Sequence, residues 1–176
     1  MKIFATADLH ISCPDSDQIS ILKRFVKSEN PDVVLIAGDL HDYRNFNPYK
    51  DVGKISKDVP IIFCLGNHEF AYRSVRDTID YYKQFSKPSN VYCLDICDYV
   101  DVYNVRFVGN VLWYDGSLSD RPDVESKLRN IDFGWLDETI KNFDPVKENG
   151  KCIKQIKEAL KGKKDKAVLL THTVPH

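Results

Sequence analysis

No stretch of this 176-residue sequence is both apolar and long enough to cross a bilayer. Its start, MKIFATADLH, has one lysine and a short apolar run that passes straight into charged residues, unlike a secretory signal. An excess of charge is lacking too. The formal net charge is -1, so no global field argues for nucleic acid or a membrane surface. Cysteine is present but unorganised: Cys13, Cys64, Cys93, Cys97 and Cys152 are scattered and odd in number. No pair of CxxC elements exists, which argues against a zinc knuckle and against a disulfide framework. Cys64 and Cys93 lie in apolar runs and read as small buried hydrophobes. A reducing, cytoplasmic setting is the expectation. No repeat, low-complexity segment or linker interrupts the chain, so one domain over residues 1–176 is expected.

What is present is an ordinary globular composition, 43% hydrophobic and 29% charged, which excludes a disordered chain. Apolar runs at Lys2–Ala7, Asp32–Ala37 and Val59–Leu65 are short, and glycine closes the second and third. Between the first two, Ile19, Leu22 and Val26 recur at helical spacing behind a cap at Asp15 or Ser16. A short amphipathic stretch spans Tyr49–Lys57, and a helix is predicted over Ser74–Phe85. Apolar strands alternating with helices predict a parallel sheet buried on both faces. Further on, NVYCL and YVDVYNVRFVGNVLWY read as shorter antiparallel strands of a second sheet or an extension. Helices are predicted over Gly134–Phe143 and Gly150–Lys161, before a last buried strand, AVLLT. The lysine-rich run from Lys141 to Lys166 reads as a solvated helix face.

The chemistry follows the strands. The first releases Asp8 and His10, the second Gly38, Asp39, His41 and Asp42, the third Gly66, Asn67, His68 and Glu69, and the last Thr171 and His172. Carboxyl ends of strands in open α/β sheets are where loops converge on ligands. One histidine after one strand is weak evidence; four such handovers together are strong. A carboxylate has two oxygens and can bridge two divalent cations roughly 3.5–4 Å apart. Mixed Asp, His and Asn donors suit Mn, Fe or Zn better than Mg or Ca, which favour all-oxygen shells.

Asp8-x-His10, Gly38-Asp39-(x)2-Asp42, Gly66-Asn67-His68-Glu69 and the later His172 resemble the calcineurin-like metallophosphoesterases. The resemblance runs in motif order along essentially the whole chain, and GNHE is its most specific part. It implies a two-sheet α/β sandwich with helices on the outer faces. It also implies two divalent metal ions, one held by Asp8 and His10, the other by Asn67 and His172, with Asp39 bridging. His68 would be the catalytic proton donor beside the metals, and Asp42 would orient a ligand or His68. The implied activity is hydrolysis of phosphomonoesters or phosphodiesters by a metal-activated hydroxide. A nucleic-acid substrate, cut by a repair-type nuclease, has thin support from the lysine run. His41 reads as a solvated loop residue, Glu69 as a helix-start or orienting residue, and Trp113 as core. Arg44 and Arg73, with Asn45 and Tyr72, follow metal motifs closely, and either arginine could contact a phosphate.

The sequence departs from the family in one respect. A Gly-His-x-His element, which would complete the centre after His172, does not occur, and the spacing of THTVPH does not let His176 replace it. Three readings compete: the amino-terminal part of a longer hydrolase, a natural short form, or a non-catalytic scaffold for protein interaction. The first is the expectation, with an incomplete C-terminus, weak metal binding and low activity for the chain as it stands. The proton donor His68 argues against the scaffold.

Overall fold

The computed structural model describes residues 1–11, 17–41, 47–86, 89–121, 123, 136–162 and 166–174. Strands β1 (Ile3–Ala7), β2 (Val33–Ala37), β3 (Ile61–Cys64) and β4 (Val91–Cys93) form a parallel sheet in that order. A second sheet has the order β5 (Val100–Val102), β6 (Val105–Asn110), β7 (Lys166–Thr171). β5 and β6 form the expected antiparallel hairpin, while β7 runs parallel to β6.

Side chains alternating along β2 show why both faces of the first sheet are buried. Val34 and Ile36 join Ile61 and Phe63 in a core with Ile19, Leu22 and Val26 of helix α1 (Asp17–Glu29). Val33 and Leu35 join Ile62 and Cys64 against Phe107 and Leu170 of the second sheet. The result is an α/β fold of two facing sheets. Cys64 and Cys93 are buried as expected, and Trp113 packs its ring against Phe70 and Phe143 at 5.1 and 4.5 Å.

Short helices α2 (Pro48–Asp51) and α3 (Asn67–Phe70) precede α4 (Val75–Phe85), which Ser74 caps by accepting from the Asp77 amide. Helix α5 covers Pro145–Ala159 and lies against β6. It starts five residues before Gly150, because Asp144 accepts from the Lys147 amide and Pro145 suits the first turn. Three other expectations need correction. NVYCL supplies β4 of the parallel sheet, since Val91 and Cys93 pair with Ile61 and Phe63 of β3 and share their core. The last strand is only partly buried: Leu170 faces the core, but Leu169 stays 47% exposed. Within the predicted helix of residues 134–143, the described part forms a 3-10 turn, Leu136–Thr139. Among the described residues no helix is long and apolar enough to cross a membrane.

Candidate metal centre

Register brings the strand ends level. Ala7 pairs with Ala37, and Ala37 with Cys64, so Asp8, Gly38 and Leu65 leave the sheet in one row. The first two loops then run side by side, the Asp8, His10 and Ile11 amides donating to the carbonyls of Gly38, Asp39 and Leu40. Three residues on this ledge, Asp8, His10 and Asp39, have left-handed backbones with φ of 52°, 43° and 49°. Each costs of order 1–3 kcal/mol and persists only where its surroundings hold it. Glu69 is part of that hold. Its Oε2 accepts from the amides of Asp39 and Gly66, and its Oε1 from those of Leu40 and His41. Burial pushes its pKa up to about 8, the Gly66 amide opposing and the Asp39 charge adding to the rise.

Glycines make room for the ledge. A Cβ at Gly66 would stand 2.1 Å from Asp39 Oδ1, and one at Gly38 would stand 2.4 Å from His172 Nδ1. Gly38 also has φ +75°, a conformation that favours glycine.

The structure brings Asp8, His10, Asp39, Asn67, His68 and His172 together. Asp39 is 4% exposed and belongs to two groups of potential ligand atoms, each lying within 4.8 Å of one another. One group is His10, Asp39 and His68; the other is Asp8, Asp39 and His172. Its Oδ2 lies 3.8 Å from Nε2 of both His10 and His68, and its Oδ1 lies 3.5 Å from His172 Nε2. The carboxylate thus turns one oxygen toward each group.

The donor set fits a cation. His172 Nδ1 lies 3.0 Å from the Ala37 carbonyl, which only accepts, so Nδ1 carries a proton and Nε2 is the atom turned toward the centre. Asn67 Nδ2 donates to Asp137 Oδ1 at 2.7 Å, which turns its Oδ1 toward His172 Nε2 at 3.1 Å. His172 Nε2, Asn67 Oδ1 and Asp39 Oδ1 therefore converge on one point. A cation there would satisfy all three, and the mixed nitrogen and oxygen donors favour a borderline metal.

Sequence reasoning missed two aspartates that support the site, one that aims a donor and one that ties strand ends together. Asp137 is 4% exposed and holds the Asn67 amide while accepting from Tyr114 Oη at 2.8 Å. It lies in a stretch whose periodicity suggested only a helix. Asp95 follows β4 and accepts from the Leu65 amide at 2.7 Å and the Val111 amide at 2.9 Å. It thereby ties the end of β3 to the end of β6, across the two sheets. An aspartate just past an apolar strand was the signal used for Asp8, and it would have found Asp95 as well.

Burial pushes Asp95 up to about 7, its two backbone partners opposing the shift. The folded chain then keeps a proton that the unfolded chain releases above its ordinary value of 3.8. The stability advantage of wild type over Asp95→Asn should be largest near pH 4. It should shrink toward pH 7 by at most about 1.4 kcal/mol per unit. Denaturant unfolding across this range in chelator reads it, and a pH-independent difference would contradict it.

His41 is not the solvated loop residue expected. Its ring packs on Tyr82, with Nε2 2.7 Å from the phenolic oxygen and 4.0 Å from Glu69 Oε1. The guanidinium of Arg73 lies over the Tyr81 ring at 4.1 Å. Asp42, Arg44, Asn45 and His176 lie outside the described residues.

Over 131 residues, 65% of this chain, the sequence is 30% identical to a subunit of the SbcCD nuclease of Staphylococcus saprophyticus. The aligned part is 33% of that relative, so the chain spans about a third of its length. A solved structure of a phosphopantetheinyl hydrolase (PptH) from Mycobacterium tuberculosis superposes with a TM-score of 0.70 at 16% identity. That match covers 98% of this chain and 68% of the other, and it speaks to the fold. The profile of the calcineurin-like phosphoesterases matches residues 1–176. With strand ends, glycines and an Asp39 shared between two donor groups all in that order, the chain belongs to the calcineurin-like phosphoesterase family.

Proposed function

We propose that this chain carries the metal centre of a divalent-metal phosphoesterase that hydrolyses phosphate esters. The observation that carries the reading is the Asp39 carboxylate, one oxygen toward His10 and His68 and the other toward His172. His10 would hold one ion, Asn67 and His172 the other, and Asp39 both; Asp8, which lies within reach of Asp39 and His172, is paired with His10 by the family resemblance, and Mn, Fe or Zn fit the donors best. Bound metals of this kind supply a nucleophile from water at neutral pH and offset charge on the phosphoryl oxygens.

His68 would donate a proton to the departing oxygen. Its side chain is 34% exposed, and its ring meets that of His10 edge-on at 4.6 Å, so one side faces the open end of the site. The Asp39 carboxylate takes the His68 backbone amide at 3.1 Å, which keeps the imidazole beside the centre. Asp137 acts through Asn67, the ligand it orients. The nuclease name of the staphylococcal relative supports phosphodiesters, nucleic acid included, as the ester class.

His68→Ala should lower turnover of a chromogenic phosphodiester by about 10²–10³-fold with manganese, while metal content by elemental analysis stays near wild type. Wild-type turnover in that variant would remove the proton-donor role. Bound metal with no hydrolysis of monoester, diester or DNA would favour a scaffold instead.

A further inference from the structure

Asn67 and His172 follow different strands, β3 and β7, yet both are tied to one segment, residues 111–114, which follows β6. His172 is tied through its neighbour, since the Thr173 amide donates to the Val111 carbonyl at 3.1 Å. Asn67 is tied through two side chains. Its Nδ2 donates to Asp137 Oδ1 at 2.7 Å, and Asp137 Oδ2 accepts from Tyr114 Oη at 2.8 Å. The ring of contacts closes where Asn67 Oδ1 meets His172 Nε2 at 3.1 Å. Aromatic packing seats the segment. Trp113 stands edge-on to Phe70 of α3, the helix that begins with Asn67, at 5.1 Å, and to Phe143 at 4.5 Å.

An asparagine ligand poses a difficulty that a carboxylate does not. The two ends of its amide are nearly alike in shape, but one accepts and the other donates. A half-turn of the Asn67 amide would bring NH2 to the point where a cation needs a lone pair. The Asp137 carboxylate opposes that turn, because it only accepts and already holds the NH2 group. Asp137 must be held in its turn. It lies in the 3-10 turn Leu136–Thr139, and the last torsion of an aspartate is broad unless both oxygens are engaged. Tyr114 engages the second oxygen. Burial pushes the Tyr114 hydroxyl above its ordinary value, and the Asp137 charge adds to the rise, so the group stays protonated and donates.

We propose that Tyr114 is a positioning residue of the metal centre. Through Asp137, its hydroxyl sets which end of the Asn67 amide faces the ion shared with His172. The assignment rests on the reading of Asn67 and His172 as ligands of one ion, and it is independent of which ester is hydrolysed.

Tyr114→Phe removes one oxygen and keeps the ring, which meets that of Trp113 at 6.5 Å. Calorimetric titration of the full chain with manganese, in the absence of ester, should show binding weakened by about 10–100-fold in this variant. In an Asn67→Ala background the same substitution should change manganese affinity by no more than about twofold, because no amide is left to orient. Thermal melts in EDTA check that each variant is folded. Wild-type manganese affinity in Tyr114→Phe overturns the proposal. An equal loss in both backgrounds overturns it too, since that is the result for a residue that only supports the fold. A wild-type chain that binds no manganese overturns both this assignment and the metal centre. A chain that binds manganese, shows the coupling and hydrolyses no ester would support the role of Tyr114 and remove only the phosphoesterase reading.

Discussion

Asp39→Asn should give a protein that folds normally, melts no lower than wild type in chelator, and loses its metal. Each half of that result has a separate cause. The amide oxygen can still accept from the His68 backbone amide, now made at 3.1 Å, so the ledge keeps its shape. The lost charge is a buried one, 4% exposed and bonded through its own amide to the Glu69 carboxylate. At a pH where the three imidazoles 3.5–3.8 Å away are neutral, that charge has no counter-ion, so removing it from the metal-free protein is neutral or favourable. The cost appears with metal, because both donor groups depend on that one carboxylate. Losing an outer partner of a ligand costs about 10–100-fold in affinity or activity. Losing a ligand shared by both groups should exceed that and reduce turnover by about 10³-fold or more. Elemental analysis and thermal melts together read the outcome. Full metal content in the variant would remove Asp39 from the bridging position.

Glu69→Gln should do the reverse, damaging the fold first and the centre in consequence. Each Glu69 oxygen accepts two backbone amides, from Asp39 and Gly66 on one side and Leu40 and His41 on the other. Compared with the ionised carboxylate, which prevails above about pH 8, glutamine replaces one oxygen with an NH2 group and leaves two buried amides facing a donor, so the comparison is made at pH 9. At about 1–3 kcal/mol for each unsatisfied buried group, a loss of roughly 2–6 kcal/mol follows. For a chain of this size that is a fall of roughly 4–24 °C in melting temperature. Metal affinity should fall with it, because Glu69 fixes the left-handed turn that presents Asp39. A variant that melts with wild type in chelator would show that the ledge is held by other contacts.

The two variants also separate what was readable along the chain from what was not. The strand ends were readable. An apolar run handing over to Asp, His or Asn is a local pattern, and the parallel register that levels Ala7, Ala37 and Cys64 follows from runs of similar length. The same logic located Asp39 and His172 at strand tips before any contact between them was known. Glu69 was readable only as a helix-start or orienting residue. Its four amide partners lie on two loops, one of them 28–30 residues earlier, and no spacing rule encodes that approach.

Other features depended wholly on pairing across the fold. NVYCL carries the same alternation whether it joins the first sheet or the second, and only contact with β3 places it in the first. AVLLT looks like a core strand by composition, yet β7 has β6 on one side and keeps Leu169 exposed. Asp137 and Asp95 are single acids in sequence. They gain their roles because Asn67 lies 70 residues from the first, and Leu65 and Val111 lie 30 and 16 residues from the second. By itself the sequence determined which side chains stand at the strand ends, since hydrophobic runs and the residues closing them are local. Tertiary structure alone decided which atoms of those side chains face one another. Tautomer, amide orientation and the sharing of the Asp39 oxygens are set by hydrogen bonds between segments far apart in the chain.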